Sequence, residues 1–297
     1  VHVFVTGASG WIGSAAVREL LDNRHSVLGL ARSERAAAQL EAIGATVLRG
    51  DLDDLDALRR GATHAEAVLH LANKHDWAHP AESNRAERAA VDVLGDALVD
   101  TGKPLVIASG LLRPRSGRPA QESDVSPAVG IDSLRGGSEN LALDYASRGV
   151  RSVALRFAPT VHGMGDHGFV SQIVAAARRT GVSGYVGDGE NAWAAVHRSD
   201  AAHLARLALE QAPAGARLHA VAEEGIPTRE IAEAIADVLG LKTTSIDPAD
   251  AVAHFGFIGS FFSATMSASN ATTRDAYLWT PAGPTLTEDI ANGAYSE

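Results

Sequence analysis

Thirteen residues at the amino end, Val1-His-Val-Phe-Val-Thr-Gly-Ala-Ser-Gly-Trp-Ile-Gly13, constrain the fold more than any other stretch. Apolar residues at 1, 3, 4 and 5 predict a short buried strand that breaks at Thr6-Gly7 and hands over to a helix near Trp11. A strand that ends in a glycine turn and resumes as a helix aims several backbone N–H groups, and the positive end of a helix dipole, at one point. An anion belongs there. Gly7 permits the tight turn, Gly10 lets a pyrophosphate approach without meeting a Cβ, and Gly13 lets the helix pack closely on the strand. The Gly-x-x-Gly-x-x-Gly spacing is one residue longer in its first gap than the commonest dinucleotide fingerprint. It nevertheless follows a strand and opens a helix, as such a fingerprint requires.

The next segments agree with a nucleotide site. A helix over 11–23 with apolar residues at 12, 16, 17, 20 and 21, then the apolar run Ser26-Val-Leu-Gly-Leu30, completes a βαβ unit. The end of that second strand meets the adenosine ribose, where an acid bonds a 2′-hydroxyl and a basic residue accommodates a 2′-phosphate. Ala31-Arg32-Ser33 holds no acid, so Arg32 and Ser33 point to NADP(H); the competing reading is a solvated arginine before a helix over 34–43. Val47-Leu48 is a third strand running into Gly50-Asp51-Leu52. Asp51 either accepts from the adenine amino group or caps the helix expected over 54–60.

A fourth strand over 67–72 carries Leu71, Ala72 and Asn73 to the carboxyl edge, where ligands of open parallel sheets sit. A helix over 81–101 precedes a fifth strand over 104–109 that ends in the Ser109 hydroxyl. A loop over 111–127, rich in Arg, Pro, Ser and Gly, is expected above the site, followed by a helix over 130–148 and a sixth strand over 151–157. After Pro159 the alternation loosens into helices near 169–179, 199–210 and 228–239, a Gly-rich turn at 184–189 and a strand at 217–221. The aromatic stretch 254–262 reads as buried packing in preference to a substrate lining.

Composition excludes several classes. With 26 basic and 36 acidic residues, a net charge of −10 and no basic run, nucleic acid and anionic membrane are not expected partners. No apolar run reaches membrane-spanning length. The absence of cysteine removes disulfides, thiolate nucleophiles and Cys-ligated metals, and fits a reducing compartment. A strand beginning at residue 1 leaves no room for a cleaved leader, so a cytoplasmic location is expected, and the missing initiator Met implies that the numbering omits at least one residue.

Several motifs in order give the chain a family resemblance: Val3 to Gly13, Gly50-Asp-Leu52, His70-Leu-Ala72, Arg156-Phe-Ala-Pro-Thr-Val-His-Gly163, Gly187 to Trp193, Ala195-Val-His-Arg-Ser-Asp200 and Leu278-Trp-Thr-Pro281. The series resembles an extended or atypical short-chain dehydrogenase/reductase of the NAD-dependent epimerase/dehydratase group. That resemblance implies an α/β fold, a doubly wound (Rossmann) parallel sheet binding NAD(P)(H), with a small C-terminal substrate-binding domain. The expected division is 1–160 with 197–222 for the nucleotide and 161–196 with 223–297 for the substrate. Gly7, Ser9, Gly10, Trp11 and Ile12 would cradle the pyrophosphate, Arg32 and Ser33 the 2′-phosphate, and Asp51 and Leu52 the adenine. Leu71, Ala72, Asn73 and Arg135 would meet the nicotinamide ribose.

The chemistry departs from the family pattern. Relatives that move a hydride usually carry Tyr-x-x-x-Lys on the helix after the fifth strand, the tyrosine protonating a carbonyl oxygen. Glu139 and Gly149 set a register that puts Ile131 at the tyrosine and Arg135 at the lysine, while Leu111 stands where a catalytic hydroxyl often lies and Tyr145 falls too far along. Arg135 can hold ribose hydroxyls but is a poor acid. Ser109, Ser133 and His162 are the candidate proton donors, His162 with a competing role in packing; His167 and His197 contact substrate or serve as caps. Lys74 reads as a phosphate partner or a solvated loop residue. His75 and His79 have metal-like spacing, but Pro80 follows and no third ligand is indicated, so no metal is expected. The leading expectation is an NADPH-dependent oxidoreductase reducing a carbonyl or similar group of a small, largely apolar molecule. The alternatives are a redox-inactive NADP(H) sensor and a non-redox isomerase or lyase. A homodimer through the helices over 81–101 and 130–148 is a further expectation.

Overall fold

Val3, Phe4 and Val5 are fully buried, and the strand they form lies inside the sheet with covered faces, which is why its apolar residues run without alternation. The computed structural model describes residues 1–76, 78–114 and 117–296. Trp77, in the segment after the fourth strand, and Arg115 and Ser116 of the expected 111–127 loop lie outside the described residues.

In chain order the elements are β1 (His2–Thr6), α1 (Trp11–Asp22), β2 (Ser26–Ala31), α2 (Glu34–Ala42), β3 (Thr46–Arg49), α3 (Leu55–His64), β4 (Ala67–His70), α4 (Pro80–Ala97), β5 (Pro104–Gly110), α5 (Ser138–Asp144) and β6 (Arg151–Phe157). They continue with β7 (Thr160–His162), α6 (Phe169–Thr180), β8 (Val182–Val186), β9 (Ala192–His197), α7 (Arg198–Gln211), β10 (Arg217–Ala220), β11 (Glu223–Pro227), α8 (Thr228–Leu239) and β12 (Lys242–Ile246). Four short helices close the chain: α9 (Ala251–Phe255), α10 (Gly259–Phe262), α11 (Ala271–Tyr277) and α12 (Leu286–Ala291).

Two compact units emerge: Val1–Ser109, Val125–Arg156 and Ala202–Leu218 in the first, and Gly110–Asp124, Phe157–Ala201 and His219–Glu297 in the second. The sheet of the first unit has seven strands in the order β10-β6-β5-β4-β1-β2-β3. β1 pairs in parallel with β2 and β4, and β2 with β3. Strand order therefore reverses between β1 and β4, and the crevice beyond their carboxyl ends is where such sheets hold ligands. Phe4, Leu58, Val68, Val91, Leu94, Leu105 and Tyr145 belong to one core cluster.

In the second unit, β11, β9 and β7 form a three-stranded sheet and β12 pairs with β8. Here the expectation of helices joined by turns is corrected, since Gly184 lies inside β8 and five strands come from segments with little alternation. The cause is burial on both faces: Trp193, Ala194, Ala195 and Val196 of β9 are all fully covered. Phe255 and Phe262 of the aromatic stretch are buried, with Phe262 edge-on to Trp193 at 5.1 Å, as packing predicts, whereas Phe257 is 42% exposed. The expected loop after β5 is also partly fixed structure. Ala120 bridges to Ala268, and Glu122 accepts from both N and Oγ1 of Thr273 at 2.9 Å. No helix among the described residues is long and apolar enough to cross a membrane.

The largest correction concerns the helix expected over 130–148. Arg135, Gly136 and Gly137 adopt left-handed φ values of 53°, 61° and 63°, and α5 starts only at Ser138. A Cβ on Gly136 would lie 2.4 Å from Asn84 O, so the chain turns tightly against α4 there and cannot continue as a helix.

Candidate active site

The cradle begins where β1 ends. Gly7 has φ 66°, and a Cβ on it would stand 2.8 Å from Ala72 N, so the turn presses directly on the carboxyl end of β4. A Cβ on Gly13 would fall 1.9 Å from Gly7 O, which shows α1 packed backbone to backbone on the turn. At Gly10 the only neighbour to a Cβ is Gly7 O, at 3.1 Å, and Ser9 and Gly10 are exposed. The helix carries neither a capping side chain at Gly10 nor an acid in its first turn. With neither of these to offset the dipole of α1, the residues present fit an anionic phosphate group.

Arg32 follows β2, is exposed, and has no side-chain partner among the described residues. Ser33 caps α2, its Oγ accepting from Ala36 N at 3.2 Å. Arg49, which sequence reasoning passed over, donates to Ser33 O at 2.9 Å and pairs with Glu34, adding a second cation to this edge. Asp51 Oδ1 accepts from Asp53 N at 2.9 Å and Asp54 N at 3.1 Å, while Asp54 itself caps α3. Leu52 is buried beside it. Lys74 pairs with Asp53 at 2.8 Å, engaged but not buried.

At the end of β4, Thr6 Oγ1 accepts from Ala72 N at 3.2 Å and bonds His70 Nδ1 at 2.8 Å. Burial, with the Arg135 charge nearby, pushes the His70 ring down to about 3 and keeps it neutral. Asn73 turns its amide nitrogen to Glu87 and accepts from His75 N at 2.8 Å through its carbonyl. Glu87 also accepts from Arg135, through Nε at 3.0 Å and through Nη2. Its side chain is 1% exposed against 29% for Arg135. Burial pushes the Glu87 carboxyl up, and Arg135 and Asn73 pull it part of the way back.

A second polar knot supports the rim. Ser109 Oγ donates to Glu139 at 2.7 Å, and fully buried Arg156 donates to both Glu139 oxygens, at 3.0 and 2.6 Å. Burial works against the Glu139 carboxylate, but Arg156, with Ser109 and Arg217, holds it below the ordinary carboxylate range. Ser109 is thus committed as a donor to Glu139 and has no proton directed elsewhere. Ser133 is likewise tied into a turn, donating to Gly130 O at 2.7 Å.

The second unit holds His162. It is fully buried in β7, and Nδ1 lies 2.6 Å from Asp289 Oδ2 on α12. Glu223 Oε2 stands 3.9 Å from Nε2, and the His197 ring lies edge-on with centroids 5.6 Å apart. Nε2 itself has no hydrogen-bond partner among the described residues. A carboxylate at Nδ1 holds the proton there and leaves Nε2 as a bare acceptor. Burial lowers the His162 pKa, and Asp289 opposes that shift.

The sequence pattern of the NAD dependent epimerase/dehydratase family matches residues 3–221, across the whole seven-stranded sheet. The chain belongs to this family. It is 42% identical to an uncharacterized protein of Schizosaccharomyces pombe over 99% of its own length and 100% of that protein's. It is 26% identical to a 4-hydroxy-2-methyl-3-oxo-4-farnesyl-3,4-dihydroquinoline-1-oxide ketoreductase of Stigmatella aurantiaca, over 86% of this chain and 80% of the other. Among solved structures it is similar to MoeE5 in complex with UDP-glucose and NAD, with a TM-score of 0.76 and 25% identity over 99% of this chain and 97% of that one.

Within this epimerase/dehydratase framework, the positions read as the Tyr-x-x-x-Lys pair do not lie on an α-helix. Ile131 is 44% exposed, and Arg135 is in the left-handed turn. Tyr145 packs its ring against Gly95 and donates to Asp92 and Asp96 of α4 at 2.8 and 2.9 Å, which makes it a strut. Glu87 and Asp289 were missed because both are acids. Each nevertheless falls in the apolar phase of its helix, Glu87 with Ala90, Val91 and Leu94, and Asp289 with Leu286 and Ile290. A charge inside an apolar stripe was the available signal.

Proposed function

We propose that this chain binds NADP(H) and reduces a carbonyl or similarly polarised group of a small, largely apolar molecule. The observation that carries the cofactor preference is Arg32, exposed and unpaired among the described residues immediately after β2, with no acid at Ala31, Arg32 or Ser33 to bond a 2′-hydroxyl. The ketoreductase relative supports the reaction class.

When bound, the nicotinamide supplies the hydride. Gly7, Ser9, Gly10, Trp11 and Ile12 hold the pyrophosphate, Arg32 and Ser33 the 2′-phosphate, and Asp51 and Leu52 the adenine. Leu71, Ala72, Asn73 and Arg135 line the nicotinamide end. Arg135 keeps Nη1 for a ligand oxygen, since its hydrogen bonds within the chain run through Nε and Nη2. Ser109 steadies the rim through Glu139; because Asp289 engages the His162 Nδ1 and leaves Nε2 an acceptor, the proton for the reduced group comes from a held water.

The test is titration with NADP+ and NAD+ in parallel, followed by NADPH oxidation at 340 nm across a ketone panel. NADP+ is expected to bind at least about ten-fold more tightly, with Arg32→Glu abolishing the preference. Equal affinity for the two nucleotides in the wild type refutes the assignment at Arg32. Tight binding without turnover on any ketone favours the sensor reading, for which Ile131 in the tyrosine position speaks.

A further inference from the structure

Three candidates stand out beyond the nucleotide cradle: the His162–Asp289 pair, the exposed apolar side chains of Val125, Val129, Ile131 and Leu134, and the buried carboxylate of Glu87. Glu87 is carried furthest. It is a charged residue on the covered face of α4, in phase with Ala90, Val91 and Leu94, where an apolar side chain would pack without desolvation cost. Its two oxygens are divided between two separate segments. Oε2 accepts from the Asn73 amide at the end of β4, and Oε1 accepts from Nε and Nη2 of Arg135 in the turn before α5. Arg135 sits in a left-handed conformation unusual for a side chain of its size, and it is Glu87 that holds its guanidinium.

We propose that Glu87 is a positioning residue for the nicotinamide half of the nucleotide, fixing Asn73 and Arg135 relative to each other so that Arg135 Nη1 faces the ligand. The proposal rests on the nucleotide reading above. Only an acceptor at both oxygens can do this. A glutamine that keeps its carbonyl toward Arg135 turns an NH2 group against the NH2 of Asn73, and a flipped amide loses the Arg135 bonds instead. Because the pairing lies at β4 and α5, and not at Arg32, it acts on one end of the ligand alone.

The experiment compares two probes by isothermal titration calorimetry, NADP+ and adenosine 2′,5′-bisphosphate, which lacks the nicotinamide half. Glu87→Gln is expected to weaken NADP+ by about ten-fold while leaving adenosine 2′,5′-bisphosphate within two-fold of wild type. Arg135→Ala should give the same contrast, and the double variant should be no worse than Arg135→Ala alone, because Glu87 acts through it. Should Glu87→Gln fail to fold, Glu87→Met, which removes both acceptor oxygens and leaves unpaired only the partly exposed Arg135 and Asn73, carries the comparison. Equal loss for both probes, unchanged NADP+ affinity, or additive losses in the double variant overturns the positioning role. If the wild type binds neither probe, the nucleotide reading falls, and this inference with it.

Discussion

Replacing Gly13 by alanine tests the joint between fold and site most directly. The new Cβ would stand 1.9 Å from Gly7 O, 2.8 Å from Gly7 C and 3.1 Å from Ala8 Cα. All three neighbours are backbone, so no side chain can swing aside, and α1 must retreat from the turn by roughly 1 Å to restore contact. Overpacking of this kind costs about 1–3 kcal/mol, and the higher helix propensity of alanine returns at most about 1 kcal/mol. A net loss of about 1–2 kcal/mol corresponds to a melting temperature lower by roughly 2–8 °C. The retreat also moves the amides of the helix start, and binding that depends on their aim should fall more steeply, by about 10- to 100-fold. Gly10→Ala is the internal comparison: its Cβ meets only Gly7 O, at 3.1 Å, so it should fold nearly normally and lose affinity alone. Differential scanning fluorimetry and NADP+ titration on both variants provide the readout. A Gly13→Ala protein with unchanged melting temperature and unchanged affinity would show that the close approach of α1 to the turn has been misread.

Two other outcomes concern pH. Glu139 is held below the ordinary carboxylate value of 4.5, so its ionised form contributes stability that is fully present above about that pH and is lost as pH falls beneath it. Arg156→Met should cost about 3–5 kcal/mol near neutrality, by stranding a buried carboxylate, and should flatten the acid limb of the stability profile; an unchanged limb in urea denaturation would refute the pairing. Burial depresses the His162 pKa below 6.5, so the fold favours the neutral ring and stability declines as pH drops below that value. Asp289→Asn should lower this pKa further, as followed by histidine NMR resonances, and a rise instead would refute the role of Asp289 as the opposing influence.

Much of the first unit is legible in the sequence. Gly7 and Gly13 announced a turn that only glycine tolerates, and β1 to β6 followed from apolar runs bounded by turn residues. These are local properties, set within a few residues of chain by sterics and periodicity. The doubly wound order of the strands follows from the same alternation. What tertiary structure alone decided is which polar groups meet. Glu87 and Arg135 are 48 residues apart, and His162 and Asp289 are 127 apart. No spacing rule links such positions, because their approach depends on how whole elements pack. The helix expected over 130–148 failed for the same reason: its residues allow a helix, but the close approach of Gly136 to α4 turns the chain left-handed before Ser138. Local chemistry thus determined the glycine turn at the strand tip, whereas long-range packing decided which side chains stand around it and which of them are already occupied with one another.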